Sequence, residues 1–172
     1  PIIIDTNCIS TVFSKKSLRH KDFEPVLDWI LYGKGIMVIG GTKYREELKK
    51  MPQYLKLIRL IKESGKLLTG DDDCIDKWQM EVEKISDNPD FDDPHLPAII
   101  TNTKCRLICS MDTRSVPHVT NHKFYPKGIV MPSYYTSAKN KNLLCDAYVD
   151  KSLKPLCKIN KLKSDRILKS LN

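Results

Sequence analysis

No stretch of the 172-residue sequence comes near the roughly 20 consecutive apolar residues that a membrane-spanning helix needs. A basic-then-apolar leader is also missing. The chain opens on Pro1-Ile2-Ile3-Ile4, which reads as a strand, and a cytoplasmic protein with no membrane association is the expectation. The six cysteines lack the repeating framework of disulfide-stapled secreted domains, so they read as small buried hydrophobes. Cys105, Cys109, His118 and His122 do spell C-x3-C…H-x3-H. Cys109, however, falls inside an apolar strand, and the gap before His118 is shorter than zinc-finger spacing, so zinc is not expected. Internal repeats and a sharp linker are absent too. A chain of this length is most simply one domain with room for a real core.

Acidic residues are the minority, 21 against 29 lysines and arginines, and the net charge is +8. Most of that excess sits at one end. From Lys139 onward nine basic residues face three aspartates, a net +6, which leaves +2 for the rest of the chain. Lys139, Lys141, Lys151, Lys154, Lys158, Lys161 and Lys163 are therefore candidate nucleic-acid contacts, because cations that neutralise phosphates release counterions. The competing reading is a solvated tail whose lysines only maintain solubility.

Several apolar runs stop at an acid. Ile2 to Ile4 has no polar alternation, fits a strand covered on both faces, and ends at Asp5-Thr6-Asn7. Ile36 to Ile39 is a second such strand, followed by Gly40-Gly41 and a helix, Thr42 to Lys50, that carries Glu46 and Glu47. These two neighbours point about 100° apart on a helix, so only one can face a site. Arg106 to Cys109 is a third strand, leading through Ser110-Met111 to Asp112. Asp93 stands at the start of a helix, with Pro94 suited to the first turn. Ligands of open α/β sheets gather beyond the carboxyl ends of strands, so these acids are expected to converge there. Their plainest alternative role is helix capping, which suits Asp93.

Between them the spacing predicts helices over 22–32, 53–63 and 71–85, with Trp29 and Trp78 on core faces. Asp71-Asp72-Asp73 fits the dipole of the last of these helices better than a metal site. Lys66 to Thr69 reads as an edge strand. Gly128 to Pro132 reads as the final strand of a mostly parallel sheet of about five, with helices on both faces. Leu162, Ile167, Leu168 and Leu171 suggest a terminal helix with one apolar edge.

In order and spacing, Asp5-Thr6-Asn7, Glu47-Leu48 after Thr42, Asp93-Pro94-His95-Leu96 with Ala98, and Ser110-Met111-Asp112 resemble the four motifs of the PIN-domain family. These are metal-dependent nucleases that include the toxins of many toxin–antitoxin pairs. The likeness covers roughly residues 1–135, and 136–172 form a lysine-rich extension. It implies a three-layer α/β/α fold with Asp5, Glu47, Asp93 and Asp112 as the catalytic acids. Glu47 is preferred over Glu46 because Leu48 follows it. Cys105 departs from the family's small-residue pair before the strand, and Thr113 stands where some members place a further ligand.

Oxygen-only ligands favour Mg²⁺ or Mn²⁺. Such a cation polarises a phosphate and activates the attacking water. Asp5 and Asp93 are the direct metal ligands by this reading, Asp112 and Glu47 act at the metal or through its waters, and Asn7 and Ser110 support them. His95 is structural or contacts substrate. The resemblance implies hydrolysis of single-stranded RNA, with an antitoxin-like protein or a second copy as partner. A DNA substrate, or a non-catalytic RNA-binding or protein-interaction module, remains open.

Overall fold

The three isoleucines of strand β1 (Ile2–Ile4) are each fully buried. β-Branched side chains suit a pleated strand, and burying each contributes roughly 1.5–3 kcal/mol. The structure, a computed structural model, describes residues 1–86, 88, 91–149, 152 and 158–171. Strand β1 leads through a 3₁₀ turn (Thr6–Cys8) into helices α1 (Ile9–Phe13) and α2 (His20–Leu31). Next come β2 (Met37–Ile39), α3 (Thr42–Lys49), α4 (Pro52–Glu63), β3 (Leu67–Thr69), α5 (Asp72–Ile85), α6 (His95–Thr103) and β4 (Leu107–Cys109). Then follow α7 (Val116–Val119), β5 (Ser133–Tyr135) and α8 (Lys161–Lys169).

The strands form one parallel sheet in the order β3-β2-β1-β4-β5. Helices cover it on both faces, giving the expected three layers. From β1 the chain first builds outward through β2 and β3, then returns to β1's other side for β4 and β5. The carboxyl ends of β1 and β4 therefore flank the point where strand order reverses, the place at which such sheets open a crevice. Asp5 and Asp112 follow those two strands.

The last strand, Ser133–Tyr135, begins five residues beyond its expected start at Gly128. Pro132 has no N–H to donate, and Ser133 instead donates to the Arg106 carbonyl at 2.9 Å, opening the β4–β5 ladder at an aromatic pair, Tyr134-Tyr135. Gly128, at φ 93°, makes the turn before it. Lys104 closes α6 in the left-handed region (φ 53°), a place more often held by glycine.

Trp29 and Trp78 pack partly buried against the core, and the Trp78 indole donates to the Phe124 carbonyl at 3.0 Å. Asp71 caps α5, its Oδ1 accepting the Cys74 N–H at 2.9 Å. Helix α8 packs on α4. Ile167 is fully buried there, Leu168 and Leu171 pack partly, and Leu162 points outward rather than joining the apolar edge. Among the described residues no helix is long and apolar enough to cross a membrane.

Candidate active site

Asp5 is held in place by its own turn. Its N–H donates to the Cys109 carbonyl at 2.9 Å, which carries the β1–β4 ladder one residue past the strand. Its buried carboxylate accepts from Asn7 (N–H at 3.2 Å, Nδ2 at 2.8 Å) and from Ser110 Oγ at 2.7 Å. Asn7 and Ser110 thus both hydrogen-bond the Asp5 carboxylate. Burial raises the Asp5 pKa, the Ser110 and Asn7 bonds oppose that rise, and Glu47 adds to it.

Helix α3 brings Glu47 to the same place. Gly41, at φ 79° and ψ 148°, turns the chain from β2 into the helix. Gly41 N–H and Thr42 N–H donate to Asp72 and Asp76 of α5, both at 2.8 Å. One turn before Glu47, the buried Tyr44 donates its hydroxyl to the Ile4 carbonyl at the end of β1. Glu47 Oε2 then accepts from Thr6 Oγ1 at 2.8 Å, whereas Glu46 is exposed on the outer face. Of the two neighbours, Glu47 faces the site.

Asp93 completes the group without capping α6. The cap position is Pro94, no side chain bonds there, and Asp93 contributes only its carbonyl to Leu96 N–H. Its carboxyl is pushed up to about 7, first by burial and then by the charges of Asp5 and Asp92, with Glu47 adding and Lys43 opposing. Lys43 itself donates to the Asp92 carbonyl.

Asp112 stands apart. Its N–H donates to Ser110 Oγ at 3.0 Å, one bond from Asp5. Its carboxylate is taken by Arg114, with Nε on Oδ1 at 3.0 Å and Nη2 on Oδ2 at 2.9 Å. That pairing holds its pKa below the usual range.

Three site residues escaped the sequence reading: Tyr134, Arg114 and Lys43. The Tyr134 hydroxyl lies 3.4 Å from Ser115 Oγ, and burial together with the charges of Asp93, Asp5 and Asp112 raises its pKa. The aromatic pair at 134–135 was the signal that could have placed it. His95 is buried, its ring tilted on Tyr44, and Nδ1 has no partner among the described residues. Burial, helped by Lys43, lowers its pKa to about 3.

Cys105 and Cys109 are fully buried around β4, while His118 stacks on Phe91 at 5.5 Å. Lys139 and Lys141 lie in a 3₁₀ segment (Ala138–Leu143) just past β5, beside α2. Lys158, Lys161 and Lys163 are exposed at the sheet's opposite edge. Lys163 Nζ donates at 3.5 Å to the carbonyl of Glu63, the last residue of α4 before the chain enters β3. Lys151 and Lys154 lie outside the described residues.

Among the described residues no three acidic, histidine or cysteine side chains are close enough to hold one metal ion together. The donor chemistry nevertheless fits a hard divalent cation. Asp5, Glu47 and Asp93 are oxygen donors, and the proton affinities of Asp5 and Asp93 are raised first by burial and then by neighbouring carboxylates, the signature of a site short of positive charge. Mg²⁺ also needs only one or two carboxylates, taking its remaining ligands from water and substrate phosphate. Compared with protein-family models, with curated proteins and with solved structures, the chain matches none.

Proposed function

We propose that the chain is a PIN-like endoribonuclease that hydrolyses phosphodiester bonds of single-stranded RNA with Mg²⁺ or Mn²⁺. The observation that carries this reading is the convergence of Asp5, Glu47 and Asp93 at the sheet's reversal point, where the charge of Glu47 adds to the burial that raises Asp5, and the charges of Asp5 and Glu47 add to the burial that raises Asp93. Carboxylates that merely capped helices would have no reason to be pooled in this way.

Asp5 and Asp93 would hold the cation, and Glu47 and Asp112 would bind its waters. The cation supplies charge stabilisation for the phosphate and a more acidic water. The chain's own residues orient the site. Ser110 and Asn7 fix the Asp5 carboxylate, Thr6 fixes Glu47, and Tyr44 fixes the helix that bears Glu47. His95 carries no proton on its ring acceptor near neutrality, so it packs the site rather than acting as an acid. One observation favours a second reading: Asp112 is bound to Arg114, which suits a non-catalytic RNA-binding module whose fourth acid is structural.

Labelled single-stranded RNA and DNA, incubated with Mg²⁺, Mn²⁺ or EDTA, decide between the two. Cleavage of RNA that needs the metal and falls at least a hundredfold in both Asp5→Asn and Asp93→Asn is the expected result (on the order of 3 kcal/mol of lost transition-state stabilisation). Salt-dependent RNA binding with no cleavage by the wild type would leave the binding module standing instead.

A further inference from the structure

Arg114 is placed where a cation with no purpose beyond folding would contribute little. Its side chain is 90% exposed, yet it forks onto Asp112 through Nε and Nη2. An exposed pair of this kind adds at most about 1 kcal/mol to stability. Its geometry is nonetheless that of an anion clamp, since the planar guanidinium matches carboxylate and phosphate oxygens equally well. The acid it holds is also not free to wander. Asp112 Oδ1 accepts the backbone N–H of Arg114 at 2.9 Å, its own N–H is on Ser110 Oγ, and Ser115 Oγ donates to its carbonyl at 2.9 Å. The 3₁₀ turn Thr113–Ser115 therefore keeps Asp112 aimed after the guanidinium leaves.

Two partners compete for the same carboxylate. A divalent cation whose waters bind Asp112 and a guanidinium that occupies both Asp112 oxygens exclude each other. Lys43, a second cation near the acids, is engaged with the Asp92 carbonyl. We propose that Arg114 is the substrate-positioning residue of this site: it rests on Asp112 when no RNA is bound and transfers to a phosphate of the incoming strand, releasing Asp112 to the metal. This rests on the nuclease reading. It makes metal and RNA binding cooperative through one side chain, because each removes an obstacle to the other.

The test uses the full chain with Arg114→Ala and Arg114→Lys, and two binding readouts besides activity. Mn²⁺ is titrated calorimetrically into metal-free protein. Single-stranded RNA is followed by fluorescence anisotropy across a KCl series, with Ca²⁺ replacing Mg²⁺ to suppress cutting. Arg114→Ala should bind Mn²⁺ roughly two- to fivefold more tightly, the size of an exposed pair lost. It should also flatten the log K against log salt slope by about 0.7, one phosphate contact on a single strand. Arg114→Lys should keep the slope and lose affinity, having the charge but not the fork. Unchanged or weaker Mn²⁺ binding by Arg114→Ala, or an unchanged salt slope, overturns the proposal while leaving the nuclease reading intact. A wild type that binds neither Mn²⁺ nor RNA overturns both.

Discussion

A carboxylic acid that ionises near neutrality is a stored instability, and Asp93 is that residue here. With its pKa at about 7 in the folded chain and near 4 when unfolded, the native state holds a proton that the unfolded state has released. Between those two values the folded state binds more protons, so stability falls as pH rises through the window and the full penalty is present above about 7. Asp5 is raised in the same direction; half-buried Asp112, paired with Arg114, is lowered and works weakly against them. Metal-free protein should therefore melt at a higher temperature at pH 5 than at pH 8. Asp93→Asn should remove much of that difference, and Mn²⁺ should raise the melting temperature more at pH 8 than at pH 5. Thermal denaturation of wild type and variant with and without Mn²⁺ checks all three; a wild type that melts higher at pH 8 without metal contradicts the first. Asp5, Asp93 and Asp112 were legible in the sequence because each ends an apolar run or precedes a helix, and Glu47 because its helix follows directly on the second strand. Tyr134 and Arg114 were not: the Tyr134 hydroxyl meets Ser115 across 19 residues of sequence, and nothing in the order Asp112-Thr113-Arg114 shows that the guanidinium folds back onto the acid.

At the scale of elements, the junction between β2 and α3 positions Glu47. Gly41 adopts a backbone conformation nearly reserved for glycine, and a Cβ there would meet Ile75 Cγ2 at 2.6 Å. Such strain costs about 1–3 kcal/mol, before the clash with Ile75 is added. Gly41→Ala should lower the urea midpoint accordingly and weaken Mn²⁺ binding, because the start of α3 must shift; Gly65→Ala, with nothing within 4 Å of its Cβ, should weaken the fold without moving Mn²⁺ affinity. Equal Mn²⁺ affinities in wild type and Gly41→Ala would show that the junction does not position Glu47. Gly40-Gly41 was visible in the sequence as a break, but its pairing with Asp72 and Asp76 of α5 was not, because that contact spans some thirty residues. The same limit displaced β5. A run of apolar residues at 129–131 carries the pattern of a strand, whereas the ladder is set by which N–H groups exist, and Pro132 supplies none.

Over the whole molecule, charge is divided between two edges of the sheet. The sequence shows a basic end, and its lysines look like one continuous surface. The fold splits them: from Lys139 the chain runs past α2, where Lys34 Nζ meets Asp146 Oδ2 at 3.1 Å, and α8 then sits at the amino-end edge beside the end of α4. The carboxyl edge gains basic residues from elsewhere. Lys15 and Lys16 are exposed in the segment between α1 and α2. Thr11 before them reaches Met111 Sδ at 3.8 Å, and Arg19 after them donates to the Thr136 carbonyl at 3.5 Å, which ties that segment to the ends of β4 and β5. Lys15, Lys16 and Lys139 therefore lie toward the carboxyl ends of the strands, as the acids do, while Lys158, Lys161 and Lys163 lie toward the amino ends. If the acids are the cutting site, a short RNA held there touches the first set only. Replacing Lys15, Lys16 and Lys139 with Gln should raise KM for a short oligonucleotide and flatten its binding slope against log salt by about 2, three single-strand contacts. Replacing Lys158, Lys161 and Lys163 should leave both unchanged for the short strand and weaken binding only when the RNA is long enough to wrap from one edge to the other. Steady-state cleavage and anisotropy on short and long strands separate the two sets. If the far lysines control the short strand, the strand does not lie across the carboxyl edge, and the acids there are not where it is cut.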